Sequence, residues 1–406
     1  MAERRGRGRD AALGYRLALR VPLVRRLWTA TAASVVGDYV GQGALLLLAA
    51  DRAGAALAAA VVLAVGVVPT LLTGVVAGPW LDRVPRVRAL VSLQLAGGAI
   101  ICLPVLLDGL AVVYTTAALL AVVRTATIAV RSGAMAEGLE DEHRGPLVAL
   151  LSTTDQAGQV VGYLTGASLY VLLGTDVALL VDAASFVLGA LVLMTVRLPA
   201  PGPRPPRLPV QGGLMLIGRD PVLRLLAVLV AATGAVSSLP EVLAPIAADD
   251  AWRPLVLAAA PLGQAVAMTL IGRTRQVRRP SIQLVHLAWL VLALAITSAG
   301  RGPAWVAFGN LLIGTGVAWI VGPQLTFLRL APPARMAQIT AAMVALLATA
   351  DGLGSLAFAR VADVAGVPTA YRAAGAMLLV VAVAGWLVKE RTPDALALDR
   401  DELPTR

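Results

Sequence analysis

Val148-Ala149-Leu150-Leu151-Ser152-Thr153-Thr154-Asp155-Gln156-Ala157-Gly158 returns later in the chain as Val344-Ala345-Leu346-Leu347-Ala348-Thr349-Ala350-Asp351-Gly352-Leu353-Gly354. Seven of the eleven positions are identical. Alanine, leucine and valine match easily by chance in apolar segments, so the weight rests on the shared Thr, Asp and Gly in one register. Weaker echoes set Pro22 and Arg25 against Pro221 and Arg224, and Pro69 against Pro261. Two halves that repeat in the same direction predict two parallel repeats about an axis along the membrane normal, with any substrate path between them.

The membrane follows from composition. Of 406 residues, 58% are hydrophobic and 14% charged, and the mean hydropathy is +0.80. An ordinary soluble domain carries about 25% charged residues. The charges here bunch into short segments between apolar runs of about 20 residues, the length one helix needs to cross a bilayer. Twelve spans are expected, at about 27–49, 56–79, 89–107, 111–130, 147–173, 177–196, 222–246, 253–272, 281–299, 303–328, 336–359 and 369–388. The fold class is therefore an all-α membrane protein, twelve transmembrane helices in two pseudo-symmetric six-helix bundles. Leu198 to Pro209, Leu-Pro-Ala-Pro-Gly-Pro-Arg-Pro-Pro-Arg-Leu-Pro, cannot be helical and reads as an extended linker. The expected organisation is a tail over 1–26, a bundle over 27–197, a linker over 198–221, a second bundle over 222–389 and a tail over 390–406, acidic from Asp394 on and left without structure.

An even span number puts both termini on one side. With the N-terminus inside, 28 of the 34 Lys and Arg fall in tails and inner segments. Arg52, Arg253, Arg301, Arg360 and Arg372 lie outside, and Arg124 lies within span four. That asymmetry predicts cytoplasmic termini. The basic excess, a net charge of +10, is thereby a matter of orientation; without interleaved aromatics it does not indicate nucleic acid. The arginine-rich first 26 residues have no apolar segment of their own, so no cleaved signal peptide is expected. Cys102 is the single cysteine, so no disulfide framework is expected, and with only His143 and His286 beside it no metal centre either.

Ionisable side chains inside spans cost roughly 2.5–3.5 kcal/mol each on an insertion scale unless a partner or water meets them, so they mark function. They are Asp38, Arg124, Asp155, Asp182, Glu241, His286 and Asp351. Asp38 is the first candidate. Gln42 follows at i+4 on the same helical face, and the two make a polar stripe turned to the interior. Burial disfavours a charged carboxylate, so such a group can load and release a proton. The alternative is a structural acid bonding a neighbouring helix. Glu241, near the outer end of span seven, is either a similar group or one that reaches water. Asp182, a turn or two from the end of span six, reads as a helix-start anchor, and His286 as a packed side chain. Arg124 and Asp155 stand at comparable depth in consecutive spans, so they form either a structural pair or a switch that opens when Asp155 is protonated. Gly158, Gly162 and Gly166 recur every fourth residue in span five and make a flat face for close helix packing.

Between spans two and three runs Gly78-Pro79-Trp80-Leu81-Asp82-Arg83-Val84-Pro85-Arg86-Val87-Arg88. From spacing alone it is either a loop that only sets orientation or a functional one whose charges are paired at the membrane surface. It also resembles the loop between the second and third helices of major facilitator superfamily transporters, Gly-x-Leu-Ala-Asp-Arg-x-Gly-Arg-Lys, at Gly78, Asp82, Arg83 and Arg86. Trp80, Pro85 and Val87 depart from it. The resemblance implies a cytoplasmic latch in which Gly78 allows close approach and Asp82 faces the start of span eleven near Arg335 and pairs with Arg131. The equivalent Gly272 to Pro280 keeps Arg273, Arg275, Arg278 and Arg279 but no acid, so it orients without latching. Arg124 stands where such transporters carry a coupling arginine, and the glycines of span five resemble the exporter motif, with Tyr163 in place of its proline.

Ser-Val-Val-Gly-Asp at 34–38 and Val-Asp-Ala-Ala-Ser-Phe at 181–186 are similar to the bacterial twelve-span drug, macrolide and siderophore exporters of that superfamily. The resemblance implies a secondary transporter in the cell membrane, a proton-coupled antiporter exporting small amphipathic organic molecules such as drugs or antibiotics by alternating access, as a monomer with no cofactor. Its partners would be the substrate, protons and the lipid bilayer. A dedicated siderophore or natural-product exporter and an importer are the alternatives, ahead of a channel. An ATP-driven pump is set aside because Lys389 is the single lysine and lies in no phosphate-binding loop, and an enzyme because no Gly-x-Ser-x-Gly elbow occurs.

Overall fold

The computed structural model describes residues 19–73, 84–139, 141–197, 215, 217–219, 221–271, 280–320 and 336–391. Among them there is no strand. The helices are α1 (Pro22–Ala53), α2 (Ala56–Ala64), α3 (Val67–Leu72), α4 (Arg86–Ile101), α5 (Leu103–Leu106), α6 (Leu110–Gly138), α7 (Asp141–Leu173), α8 (Thr175–Met194), α9 (Pro221–Ser237), α10 (Leu239–Ala247), α11 (Arg253–Ile271), α12 (Pro280–Ala299), α13 (Pro303–Val317), α14 (Met336–Ala365) and α15 (Val367–Arg391). The twelve expected spans correspond to these in order. Spans two, three and seven are each built from two consecutive helices, α2 with α3, α4 with α5 and α9 with α10.

Among the described residues nine stretches are long and apolar enough to cross a membrane, and Ala56–Leu72 and Val285–Ala299 are shorter apolar ones. The 33-residue α7 is long enough, but Gln156, Gln159 and its glycines dilute its hydropathy. Large apolar side chains such as Leu188 and Leu191 on α8, and Val380, Val383 and Trp386 on α15, are exposed, as helices bathed in hydrocarbon require.

Tight glycine turns join many of the helices. Gly109 precedes α6 with φ 113° and Gly302 precedes α13 with φ 86°; Gly174 precedes α8 with φ 89° and Gly366 precedes α15 with φ 84°. These are equivalent positions of the two halves, so the repeat is present in the backbone as well as in the Asp155 and Asp351 segments. At Gly174 and Gly366 the glycine N–H also bonds a carbonyl of the helix just ended, Tyr170 O at 3.1 Å and Ala362 O at 2.8 Å. A left-handed residue closing a helix in this way is the natural place for glycine. Span seven breaks at Ser238, where Pro240 has no N–H to continue the ladder.

The chain forms two compact units. The first comprises Met1–Ala49 and Val65–Arg204, the second Ala50–Ala64 and Pro205–Arg406. The division in sequence near residue 205 lies within the proline-rich stretch, while residues 50–64 pack with the second unit. In the first unit Val24, Leu27, Leu90, Val130, Leu147 and Leu193 share a core. In the second, Ala56 and Ala60 of α2 pack with Leu239, Leu243, Leu290, Phe358, Tyr371 and their neighbours.

The glycine face of α7 lies on α1. A Cβ on Gly158 would come to 2.5 Å of Val35 Cγ1, one on Gly162 to 2.7 Å of the Val36 carbonyl oxygen, and one on Gly166 to 2.6 Å of the Val40 carbonyl oxygen. No side chain fits there. The second unit repeats this crossing: a Cβ on Gly354 would collide with the Ala235 carbonyl, and one on Gly234 would meet Leu347.

Candidate functional site

In the first unit the α1–α7 contact brings Asp38, Tyr39 and Gln42 of α1 to Asp155 and Tyr163 of α7, and α6 adds Arg124. Arg124 Nη2 donates to the Tyr39 hydroxyl at 3.2 Å, and that hydroxyl donates to Asp155 Oδ2 at 3.5 Å. The direct approach of Arg124 Nη2 to Asp155 Oδ1 is 3.9 Å. Arg124 and Asp155 are therefore brought together, as their depth in consecutive spans predicts, but the tighter link runs through the Tyr39 phenol. The guanidinium also lies over the Tyr39 ring, 5.3 Å from its centroid. The Arg124 and Asp155 side chains are 45% and 41% accessible.

Around this link stands a second, buried layer. Tyr163 is fully buried and meets Tyr39 edge to face, centroids 5.3 Å apart at 72°. Gln42 Nε2 donates to the Tyr163 hydroxyl at 2.9 Å, and Trp28 Nε1 donates to Thr154 Oγ1 at 2.8 Å. The polar stripe of Asp38 and Gln42 thus divides: Gln42 orients Tyr163, which orients Tyr39, while Asp38 interacts electrostatically with Arg124, Asp155 and Arg131. Nothing in the sequence marks Tyr39 and Tyr163 as partners of the charges. The available signal was that each lies one helical turn from an already marked polar or glycine position.

Asp182 does not start its helix. Gly174 caps α8, Asp176 is the acid of the first turn, and Asp182 sits two turns in, buried against α1.

The second unit presents a different version of the site. Counting from Pro22 and Pro221, Ser237 takes the place of Asp38 and Glu241 that of Gln42. Ser237 Oγ donates to Asp351 Oδ1 at 2.9 Å, Ser355 Oγ donates to the Asp351 carbonyl at 2.7 Å, and Ser238 Oγ and Ser355 Oγ lie 2.6 Å apart. Counted from the paired glycine caps Gly109 and Gly302, Arg124 corresponds to Val317, so the cation has no counterpart at that position. Glu241 is buried in the first turn of α10, away from water, and His286 is buried with Nε2 3.3 Å from Thr233 Oγ1.

Of the loop resembling the family signature, Gly78, Asp82 and Arg83 lie outside the described residues. Arg86 is described and opens α4. Its Nε and Nη2 donate to Glu137 Oε1 at 3.2 and 3.1 Å, and its guanidinium presses on Gly133, where a Cβ would come to 2.7 Å of Cζ. Arg131 Nη1 donates to Thr31 Oγ1 at 3.2 Å. Residues 272–279 and Arg335 also lie outside the described residues. No group of three or more His, Cys, Asp or Glu able to hold a metal is found among the described residues.

Paired six-span halves carrying ionisable side chains within their spans define a multi-pass membrane protein of the transporter class. The chain belongs to the Major Facilitator Superfamily, whose family model matches residues 27–358. No curated protein matches the sequence significantly. Its fold is similar to that of a bacterial homologue of the human lysosomal transporter Spinster (TM-score 0.73, 14% identity, 91% of this chain and 97% of that one). It is likewise similar to the peptide transporter POT (TM-score 0.72, 16% identity, 94% and 99%) and to the nucleoside transporter NupG (TM-score 0.68, 11% identity, 90% and 99%). Such identities speak to fold alone.

Proposed function

We propose that this transporter is a proton-coupled antiporter that exports small amphipathic organic molecules by alternating access, as a monomer in the cell membrane with both termini cytoplasmic. The observation that carries the reading is the Arg124–Tyr39–Asp155 link with Asp38 beside it. A charge network whose arginine and aspartate are partly accessible can exist in two states. With the acids ionised, Arg124 is held to α1 and α7. Protonation of Asp155 or Asp38 removes the attraction, and the link through Tyr39 loosens. A proton taken up on one side and released on the other then biases two conformations of the bundle, which is the requirement for coupling. The arginine asymmetry supports the orientation.

The test is efflux of a panel of cationic dyes and hydrophobic antibiotics from expressing cells, with and without a protonophore, beside Asp38→Asn at equal expression. Protonophore-sensitive efflux abolished by Asp38→Asn supports antiport with Asp38 in the coupling path. Efflux that survives both treatments sinks the proton mechanism. Absence of any efflux shifts the reading to a dedicated siderophore or natural-product exporter, or to an importer.

A further inference from the structure

We propose that Asp182 is a second proton-binding site of the first unit, seated against α1 beside Asp38 and holding its proton in a notch made by Gly37 and Gly41. Its role in coupling rests on the antiport reading above; its existence as a proton site does not.

Asp182 is 1% exposed and lies within α8 rather than at its end. Its carboxylate faces the α1 backbone at two glycines one turn apart that bracket Asp38. A Cβ on Gly37 would come to 2.8 Å of Asp182 Oδ1, and a Cβ on Gly41 would collide with Oδ2. Ser185, one turn further along α8, donates to Oδ1 at 3.3 Å and fills the space over Gly37.

The charged groups nearby are engaged elsewhere. From α1 the facing titratable group is Asp38, and the two carboxylates interact electrostatically. Arg124 of α6 is taken by Tyr39 and Asp155, and Arg131 by Thr31. α4, which packs on α8, presents Gln94, placed between Ser34 and Gly189, and the glycines Gly97 and Gly98 under Phe186. α5 carries no charge, and Asp155 of α7 is bonded to Tyr39. Among the described residues no arginine or lysine pairs with Asp182. Burying an unpaired charge is costly, so a carboxyl seated in this notch is expected to hold a proton, and its titration is coupled to that of the neighbouring acid.

Helix packing alone does not call for an acid here. Eight residues after the capping glycine Gly366, in the equivalent helix of the other half, stands Ala374, fully buried. The glycine notch is likewise missing there, since Gly37 and Gly41 correspond to Val236 and Pro240. A structural hydrogen bond to Ser185 could be met by asparagine. What aspartic acid adds is an exchangeable proton.

The test is infrared pH-difference spectroscopy of the purified full chain in lipid nanodiscs, comparing wild type, Asp182→Asn, Ser185→Ala and Asp38→Asn. The expected result is a protonated-carboxyl C=O band at neutral pH that is lost in Asp182→Asn. A band unchanged in that variant overturns the proposal. Should Asp182→Asn fail to fold, Ser185→Ala decides: removal of the hydroxyl shifts the band if Asp182 is its source, and an unmoved band overturns the assignment. In Asp38→Asn the midpoint of the band moves to lower pH, because a neighbouring negative charge is gone; an unmoved midpoint overturns the pairing with Asp38. Protonophore-insensitive efflux with the band present would instead remove the antiport reading and leave this site standing.

Discussion

Arg253 grips Asp51 with two parallel hydrogen bonds, Nη1 to Oδ2 at 3.0 Å and Nη2 to Oδ1 at 2.9 Å. The same guanidinium meets Asp250 at 2.9 Å. One turn of chain beyond Asp51, the Asp363 carboxylate accepts the first two N–H groups of α2, Ala56 at 2.7 Å and Leu57 at 3.0 Å. Residues 50–64 are thus tied to the second unit at two polar points in addition to their apolar packing.

Asp51 is 37% accessible, which holds the worth of the Arg253 pair to about 0.5–1 kcal/mol. Arg253→Asp is expected to lower the thermal midpoint of the purified protein by a few degrees, and Asp51→Arg combined with it to restore part of the loss, Asp250 being left without its partner. A double variant no better than the single one shows that the fork adds nothing. Asp363→Ala removes the cap of α2 at a cost of about 1 kcal/mol and is expected to speed hydrogen exchange at residues 56–60. Asp363→Asn, which keeps an acceptor, is expected to do so less.

The Arg86–Glu137 pair is deeper, with side chains 6% and 15% accessible. Truncating one partner leaves the other charge buried, at a cost of about 3–5 kcal/mol. Arg86→Ala and Glu137→Ala should each lower stability by that order, and replacing both with leucine should cost less than either. Chemical or thermal denaturation in detergent reads the comparison; a double variant as damaged as the sum of the two singles would falsify the pairing.

Gly166 meets the Val40 carbonyl with no room for a methyl group. Gly166→Ala must push α7 from α1, at about 1–3 kcal/mol for overpacking. Gly218, with open space around it, serves as the control, and Gly218→Ala is expected to leave the thermal midpoint close to wild type.

Tyr39→Phe deletes the phenol between Arg124 and Asp155 while keeping the ring under the guanidinium and against Tyr163. The two hydrogen bonds lost are long, 3.2 and 3.5 Å, and their charged partners are 45% and 41% accessible, so water replaces them at little cost in stability. Transport is expected to fall about tenfold or more with expression and thermal stability near wild type. Full activity in Tyr39→Phe, and in Arg124→Ala with Asp155→Asn, would take the cluster out of the mechanism.

Much of this molecule is written locally. A bilayer demands apolar runs of a set length and expels unpaired charge, so the run lengths, the Asp155 and Asp351 repeat and the few charges inside spans were enough for the number of helices and the two bundles. Glycines at four-residue spacing marked a close contact because a helix repeats its face at that interval. Which helix fills that contact is another matter. Tyr39 is 85 residues from Arg124 and 116 from Asp155, and nothing along the chain names it as their bridge. Asp182 read as a helix start because its nearness to a span end was visible and the notch of Gly37 and Gly41 in another helix was not. Whether Glu241 reaches water stayed open along the chain, because the break at Ser238, which sets it in the first turn of a buried helix, depends on how the segments pack. Local physics determines which residues enter the membrane; the crossing of helices distant in sequence decides which buried charges meet, since only there do backbone approach and hydrogen-bond geometry choose between partners.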